Sequence, residues 1–233
     1  MGAMSGSVAL GKNGSRSVGR VCVLLSGGLD SAALLEHYLR RGYRVKPVYA
    51  AGGLRWEKAE LYWTRRLLRR LGSSRLESLA ILPVEQRGLL GAGHWALAGR
   101  VPGARAAWTA VYIEGRNFLL LSRAGMLAAR EGIGRVALAV LKGNPFRDAR
   151  PVFFRAMERS LAAALGRRVR VEAPFRRLEK RELIRRHPGL PFALTFSCIR
   201  PDGLRHCGRC SKCGERRLAF RGAGAPDPTE YRR

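Results

Sequence analysis

A short apolar run leads directly into a glycine loop in the stretch Val21-Cys22-Val23-Leu24-Leu25-Ser26-Gly27-Gly28-Leu29-Asp30-Ser31. The apolar, β-favouring run from Val21 to Leu25 is typical of a buried parallel strand. Apolar residues then recur at helical spacing until Gly42, which predicts a helix from Asp30 to Arg41. A strand, a glycine turn and a helix in this order indicate an open α/β sheet that binds its ligand at the turn.

The loop has the composition of an anion-binding turn. Two adjacent glycines allow the backbone to turn tightly and to bring N–H groups close to an anion, and the following helix adds unpaired N–H donors. The hydroxyls of Ser26 and Ser31 can donate to phosphate oxygens, whereas Asp30 is expected to hold Mg²⁺ or to orient the loop. The loop lacks the lysine of a Walker loop, and a plain Gly-Gly turn with a helix cap is the simplest alternative.

Strands and helices alternate along the rest of the first 172 residues. The hydrophobic pattern predicts strands over 44–50, 77–84, 135–141 and 169–172, with helices over 56–71, 117–130 and 151–165. Helices of this length between strands predict a doubly wound, Rossmann-like α/β fold with a parallel sheet covered on both faces. Residues 86–109 are rich in small residues and show no assignable pattern, which fits a lid or a substrate loop.

Four of the five cysteines lie within sixteen residues, at Cys198, Cys207, Cys210 and Cys213. Four thiolates at this spacing fit a closed tetrahedral Zn²⁺ site of the structural kind. An iron–sulfur cluster is the alternative, although the proline that usually follows the last cysteine is missing. Two disulfides are not expected in a chain without a secretion signal. The sequence therefore predicts a small zinc-binding lobe near the C-terminus.

The chain carries 44 Lys and Arg residues against 17 acidic residues, a formal net charge of +27. A field of this size attracts polyanions, so nucleic acid and an acidic protein are candidate partners. However, the basic residues are spread through the helices, and no nucleic-acid-binding module is visible. No apolar run reaches the roughly 20 residues needed to cross a bilayer, so we expect no membrane partner and a cytoplasmic location.

The loop residues Ser26, Gly27, Gly28, Leu29, Asp30 and Ser31 resemble the PP-loop of the ATP pyrophosphatase superfamily. The resemblance implies that all six bind ATP and that the loop grips its pyrophosphate portion. In that superfamily a substrate oxygen attacks the α-phosphorus of ATP and forms an acyl- or imidoyl-adenylate. A nitrogen or sulfur nucleophile then displaces AMP.

Other motifs are similar to those of the 7-cyano-7-deazaguanine synthase (QueC) family. Thr195-Phe196-Ser197-Cys198 leads to His206-Cys207-Gly208-Arg209-Cys210 and Cys213, as in that family. Glu114-Gly115-Arg116-Asn117 resembles its PGRN string, with Glu in place of Pro. Glu172-Ala173-Pro174-Phe175, followed by Lys180, resembles its ETPL segment and downstream lysine. The resemblance spans roughly residues 21–220.

The family resemblance implies an ATP-dependent ligase that converts 7-carboxy-7-deazaguanine to an amide and then to a nitrile, using ammonia and releasing AMP and pyrophosphate. Asp30, Ser31 and Lys180 would be catalytic, with Lys180 neutralising charge on the phosphate. Arg116 and Asn117 would organise the active-site loop or a subunit contact. ATP, Mg²⁺ and Zn²⁺ would be the cofactors of a homodimer.

Composition and the resemblance together divide the chain into four parts. Residues 1–19 are expected to be a flexible leader, which lacks the apolar stretch of a signal peptide. Residues 20–190 would form the PP-loop ATP-binding domain and residues 191–220 the zinc-binding lobe. Residues 221–233 are expected to be a flexible tail.

The chain departs from the family in two segments that are expected to line the base pocket. Residues 49–56 lack the family's GQRH string, and residues 140–148 keep only Asp148 of its Tyr-Pro-Asp string. These departures favour a second hypothesis, a paralogue that attaches the activated deazapurine to an amine of a protein or a tRNA. A non-catalytic nucleotide- or nucleic-acid-binding module is a third, against which the intact loop argues. A PP-loop tRNA thiolase or lysidine-type enzyme would use catalytic cysteines or a large tRNA-binding domain.

Overall fold

A computed structural model describes residues 19–232, apart from the side chain of Trp108. Residues 1–18 of the predicted leader lie outside the described residues. The strands are β1 Arg20–Leu24, β2 Arg44–Ala51, β3 Ala80–Pro83, β4 Arg135–Ala137 and β5 Arg170–Glu172. The α-helices are α1 Leu29–Arg40, α2 Glu57–Leu71, α3 Arg87–Leu90, α4 Arg116–Arg130, α5 Pro151–Leu165, α6 Lys180–Arg186 and α7 Ser211–Ala223. Over residues 19–232, no helix combines the length and the apolar character needed to cross a membrane.

All five strands are parallel and stand in the order β3-β2-β1-β4-β5. The chain builds outward from β1 through β2 to β3, then returns to the other side of β1 for β4 and β5. Ligands of open α/β sheets bind outside the carboxyl ends of the strands, at the point where the strand order reverses. Here that point lies between β1 and β4, and the glycine loop follows β1 directly. The predicted doubly wound parallel sheet is confirmed.

Alternate residues of β1 point to opposite sides of the sheet. Both sets are apolar, and helices cover both faces. Val21 and Val23 pack with α1, α6 and α7 on one face. Cys22 packs with α4 and α5 on the other face. Cys22 is fully buried, and burial raises the pKa of its thiol to about 12. This cysteine is therefore a buried core residue, as expected from its place in the strand.

Two predicted strands are longer than the strands in the structure. Residues 77–84 were predicted to be a strand, but β3 covers only Ala80–Pro83. Residues 135–141 were likewise predicted, but β4 ends at Ala137. Beyond Ala137 the apolar run continues as cavity wall, with Leu138 and Val140 facing the space at the carboxyl ends of the strands. An apolar run that lines a cavity has the same sequence pattern as a buried strand.

Residues 86–109, which gave no pattern, pack around Trp56 in front of α2. The ring of Trp95 stacks on that of Trp56, with centroids 5.6 Å apart and 17° between the planes. Arg55 donates from its backbone to Ala96 O (3.1 Å) and from its guanidinium to Gly99 O (3.1 Å). The described residues of this segment do not line the cavity at the glycine loop. Their contact with the cavity runs through Trp56.

The C-terminal segment packs around α7, whose Arg216 is 1% exposed. Its guanidinium donates to Phe192 O (2.8 Å), Thr195 Oγ1 (2.9 Å) and Ser197 Oγ (3.2 Å). The same side chain also donates to Thr229 Oγ1, in the segment predicted to be a tail. Arg216 therefore joins the chain before Cys198, helix α7 and the last described residues into one packed unit.

Candidate active site

The loop between β1 and α1 is held by the hydroxyls of its own serines. Ser26 N donates to Ser31 Oγ (3.2 Å), and Ser31 Oγ donates to Gly28 O (3.1 Å). Gly28 is extended, with φ −70° and ψ 165°, and immediately precedes α1. The first N–H groups of a helix have no partner within the helix. The loop thus presents backbone donors at a helix start, which is an anion-binding arrangement.

Gly27 occupies a position that accepts only glycine. Its φ is +76°, in the left-handed region, and an added Cβ would collide with Thr64 Oγ1 of α2. Its carbonyl accepts a hydrogen bond from Phe196 N at 2.8 Å. Helix α2 and the chain leading to Cys198 therefore both close against this glycine.

We expect Gly27→Ala to lower the free energy of unfolding by about 2–4 kcal/mol, because left-handed strain and overpacking add. Gly42→Ala is the matched control, since Gly42 has φ +81° and open space around an added Cβ. The control should cost only the strain, about 1–2 kcal/mol. Urea unfolding of both variants measures the difference. Equal losses would show that α2 does not constrain the loop.

Lys180, the first residue of α6, supplies a largely buried positive charge beside the loop. Its Nζ lies 3.1 Å from Asp30 Oδ2 and also contacts Glu215 Oε1. Lys212 Nζ contacts Glu215 Oε2 at 2.8 Å. Burial disfavours the charge on Lys180, but the carboxylates of Asp30 and Glu215 outweigh it and raise the pKa of Lys180 above its ordinary value. Lys180 is therefore charged at neutral pH.

Glu215 stays ionised between two lysines. Burial alone would raise its pKa, but Lys180 and Lys212 lower it to about 2. Helix α6 is fixed at its start by reciprocal hydrogen bonds of Glu179 and Glu182, so Lys180 has a defined position. Asp30 Oδ1 is buried without a hydrogen-bond partner among residues 19–232. A free carboxylate oxygen at a phosphate loop is a suitable ligand for Mg²⁺.

A cavity of about 320 Å³ opens at the carboxyl ends of the strands. The loop and Lys180 form one side of it, together with Ser197 and Lys212 from the C-terminal segment. Strand β2 contributes Tyr49, and the chain after β4 contributes Val140. Both segments in which the chain departs from the family motifs therefore reach this cavity.

A second polar group in the cavity centres on Glu60 of α2. Its Oε2 accepts a hydrogen bond from the hydroxyl of Tyr49 at 2.8 Å. Burial raises the pKa of Glu60 to about 7, although Arg116 and Tyr49 act in the opposite direction. Arg116 also lies 6.0 Å from the centre of the Trp56 ring. The cavity thus contains a carboxyl group that changes its charge near neutral pH.

Arg116 and Asn117 start helix α4, and both line the cavity. Asn117 N donates to Asp148 Oδ2 (3.0 Å), and its side-chain amide donates to Asp148 O (3.1 Å). Asp148 is buried and does not line the cavity. Asp148 therefore holds the start of α4 in place, and it is not part of the cavity wall.

The four cysteine sulfurs Cys198, Cys207, Cys210 and Cys213 lie within 4.8 Å of one another, and all four residues are buried. Neighbouring sulfurs are 3.8 Å apart for Cys198 and Cys210, and 3.5 Å for Cys210 and Cys213. Tetrahedral Zn²⁺ with bonds of about 2.3 Å places sulfurs roughly 3.8 Å apart. Backbone N–H groups of Arg200 and Cys207 point at Cys198 Sγ, both at 3.3 Å. The cluster can therefore hold a metal ion, and its sulfur spacing fits zinc.

The structure brings most of the sequence-predicted site residues to one cavity. Its walls include Ser26, Gly28, Leu29, Asp30, Ser31, Lys180, Arg116 and Asn117. Gly27 shapes the loop without lining the cavity, and the cysteines lie in the adjoining lobe, with Cys198 next to the wall residues Ser197 and Ile199. Sequence reasoning missed the roles of Glu60, Lys212 and Glu215. Glu215 stands two residues after the last cysteine, in a stretch that resembles the family motif, and this was the signal that could have found it.

The parallel sheet, the glycine loop at its switch point and the cysteine cluster define an α/β fold of the PP-loop ATPase type. A solved 4-thiouridine synthetase in complex with RNA and ATP has a similar fold, with TM-score 0.50 and 17% identity. That similarity covers 88% of this chain and about half, 50%, of the other. The chain belongs to the family described as queuosine biosynthesis protein QueC, whose model matches residues 20–224.

Curated relatives agree with this family over nearly the whole chain. It is 36% identical to a 7-cyano-7-deazaguanine synthase of Anaeromyxobacter sp. (strain Fw109-5), over 93% of this chain and 97% of that protein. It is 32% identical to a protein of the same name from Methanothermobacter thermautotrophicus, over 91% and 99%. The resemblance that the motifs indicated is confirmed at the level of the family.

Proposed function

We propose that this chain activates 7-carboxy-7-deazaguanine with ATP and converts it, with ammonia, to 7-cyano-7-deazaguanine. Family membership supports the substrate class. The observation that carries the chemistry is the position of Lys180, which is charged, largely buried and in contact with the aspartate of the phosphate loop. A fixed cation at that position favours negative charge that develops on a transferring phosphate.

The reaction balances in two rounds of activation. The substrate carboxylate attacks the α-phosphorus of ATP, forming an acyl-adenylate and releasing pyrophosphate. Ammonia then attacks the acyl carbon, AMP leaves, and one proton is lost to give the amide. In the second round the amide oxygen attacks the α-phosphorus of another ATP, pyrophosphate leaves, and the nitrogen loses one of its two protons to give the imidoyl-adenylate. Loss of AMP and a proton from the imidoyl-adenylate gives the nitrile.

Each side of the cavity has a separate task in this scheme. The N–H groups and hydroxyls of Ser26–Ser31 bind the phosphates of ATP. Lys180 stabilises the charge on the α-phosphate, and Glu215 orients Lys180 through their ion pair. Arg116 and Asn117 form another part of the wall, with Asn117 fixed by Asp148. Asp30 would hold Mg²⁺ through its free Oδ1, and the metal would neutralise phosphate charge.

The cysteine cluster has a structural task in this proposal. Cys198, Cys207, Cys210 and Cys213 would hold Zn²⁺ as a closed four-sulfur site, which leaves no position open for a reacting ligand. Their neighbours Ser197, Ile199 and Lys212 reach the cavity wall. The metal would therefore set the position of one side of the active site.

The family resemblance also supports a homodimer, and we propose that this dimer works in the cytoplasm. Apolar side chains are exposed on α4, where Phe118 is 52% and Met126 50% exposed. A contact between two copies of the chain would cover these side chains, in keeping with the apolar character of homodimer interfaces. Size-exclusion chromatography coupled to light scattering should give twice the mass of one chain. A monomer at micromolar concentration would count against the dimer.

Pyrophosphate release from ATP tests the proposed reaction. We expect release only when 7-carboxy-7-deazaguanine is present, with the nitrile detected by mass spectrometry when ammonia is added. Adenylation without amide or nitrile would indicate another amine acceptor, as in the second hypothesis from the sequence. Absence of substrate-dependent release at saturating ATP and acid would refute the proposed substrate.

A further inference from the structure

The Glu60 side of the cavity is suited to a ligand that donates hydrogen bonds. Glu60 supplies two carboxylate oxygens; Oε2 accepts a hydrogen bond from the hydroxyl of Tyr49, and the indole of Trp56 also favours the ionised carboxyl group. Arg116 and the ring of Trp56 are the other wall residues there. The phosphate-binding donors and the lysines belong to other elements, namely the loop, α6 and α7. The cavity is thus divided into a donor-rich part for phosphate and an acceptor-bearing part beside an indole ring.

We propose that this part of the cavity binds the pyrimidine edge of the deazaguanine ring, and that Glu60 recognises its N1–H and 2-amino groups. The inference rests on the proposed function for the identity of the substrate. A carboxylate accepts two parallel N–H bonds, as it does from arginine. The guanine-type edge offers two adjacent donors in the same arrangement.

The same chemistry distinguishes the substrate from the adenine ring of ATP. The corresponding edge of adenine carries one amino donor beside the lone pair of N1. An ionised carboxylate would repel that lone pair, so ionised Glu60 favours the guanine-type ring. A site that must bind two purine-like molecules at once needs such a group, because apolar contact alone does not separate them.

Charge on Glu60 is linked to this recognition. Burial raises the pKa of Glu60 to about 7, opposed by Arg116 of α4 and Tyr49 of β2 and assisted by Glu57 of its own helix. Two donors from the ligand favour the ionised form. Binding of the acid should therefore strengthen as pH rises towards about 7 and become constant above it. Below that pH, affinity should fall by about ten-fold per pH unit.

Equilibrium binding of two acids to the full chain tests the proposal. One is 7-carboxy-7-deazaguanine, and the other is 7-carboxy-7-deazahypoxanthine, which lacks the 2-amino group. We expect the unaltered protein to prefer the first acid by about 10- to 100-fold, the effect of one charge-assisted hydrogen bond. Glu60→Gln should remove most of this preference and the pH dependence, and leave the affinity for ATP unchanged.

Glu57→Gln is the matched control, because Glu57 lies on the same helix and binds the backbone N–H groups of Gly52 and Gly53 outside the cavity. It should keep the preference and a pH dependence, but because the charge of Glu57 raises the pKa of Glu60, that dependence should move towards lower pH. Tyr49→Phe provides a second test: loss of its hydroxyl should raise the pKa of Glu60 and move the pH dependence to higher pH. These two variants separate recognition from a general effect on folding.

Each combination of results has one interpretation. A Glu60→Gln protein that keeps its preference for the 2-amino acid, or loses ATP affinity instead, overturns the proposed subsite. Preferential binding without pyrophosphate release leaves the subsite standing and refutes the proposed reaction. Pyrophosphate release by the unaltered protein, together with an unchanged preference in Glu60→Gln, supports the proposed reaction and refutes the subsite. Failure of the unaltered protein to bind either acid refutes both.

Discussion

Replacing Lys180 with Met should lower substrate-dependent pyrophosphate release by about a hundred- to a thousand-fold, the usual cost of losing a charge that stabilises the transition state. Binding of ATP should change less, because the loop N–H groups remain. Single-turnover measurements at saturating ATP separate the two effects. Activity within ten-fold of the unaltered protein would show that Lys180 has no part in the phosphate chemistry.

The loss of Lys180 also leaves Asp30 and Glu215 without their shared cation. Both carboxylates are partly exposed, so we expect the fold to lose at most about 3 kcal/mol. The double variant Lys180→Met/Glu215→Gln removes one of the two negative charges and serves as the control. It should regain stability without regaining activity. If activity returned with stability, the effect of Lys180 would be structural.

Cys213→Ser should remove the bound metal and unfold the C-terminal lobe. Cys213 is fully buried at the start of α7, and its sulfur lies 3.5 Å from that of Cys210. A structural zinc ion stabilises small domains by on the order of 10 kcal/mol. We expect the melting temperature to fall by about 10 °C or more, from a loss of 4 kcal/mol or above. Atomic emission should find one zinc ion per chain before the change and less than half after it.

Cys22→Ser is the matched control for this experiment. Cys22 is equally buried but lies in β1, away from the cluster. Its replacement should cost about 1–3 kcal/mol for a buried hydroxyl and should leave the zinc content at one ion per chain. Full zinc content in Cys213→Ser would contradict the assignment of the four ligands. Iron in place of zinc, with the absorption of an iron–sulfur cluster, would identify the other metal group.

The sequence was most informative where structure is local. Strand β1, the loop and helix α1 follow from apolar spacing and from the conformational needs of two glycines, and the structure places them within one or two residues of the predicted bounds. The cysteine spacing likewise predicted a cluster that the fold assembles. Both signals are short in sequence and do not depend on distant packing.

Elements that depend on distant contacts were not predicted. Helix α7 has Gly214 near its start and two consecutive arginines, and one of these, Arg216, is buried through hydrogen bonds to Phe192, Thr195 and Ser197. Such a helix lacks a clear apolar stripe, so its sequence shows no hydrophobic periodicity from which a helix could be predicted. Glu60 is similar, because a charged residue on an amphipathic helix is normally a surface residue. Only the approach of β2 and α4 turns it into part of a cavity.

The hydrogen bond from Phe196 N to Gly27 O joins an early and a late part of the chain, which determines when the pocket is completed during synthesis. The phosphate loop is synthesised early, whereas Ser197, Ile199 and Lys212, which share its cavity, are synthesised last. A chain synthesised only as far as β5 therefore lacks part of the pocket and also the helices α6 and α7, which cover one face of the sheet. The pocket is complete only after helix α7 has been synthesised and the cysteines beside it have bound their metal ion.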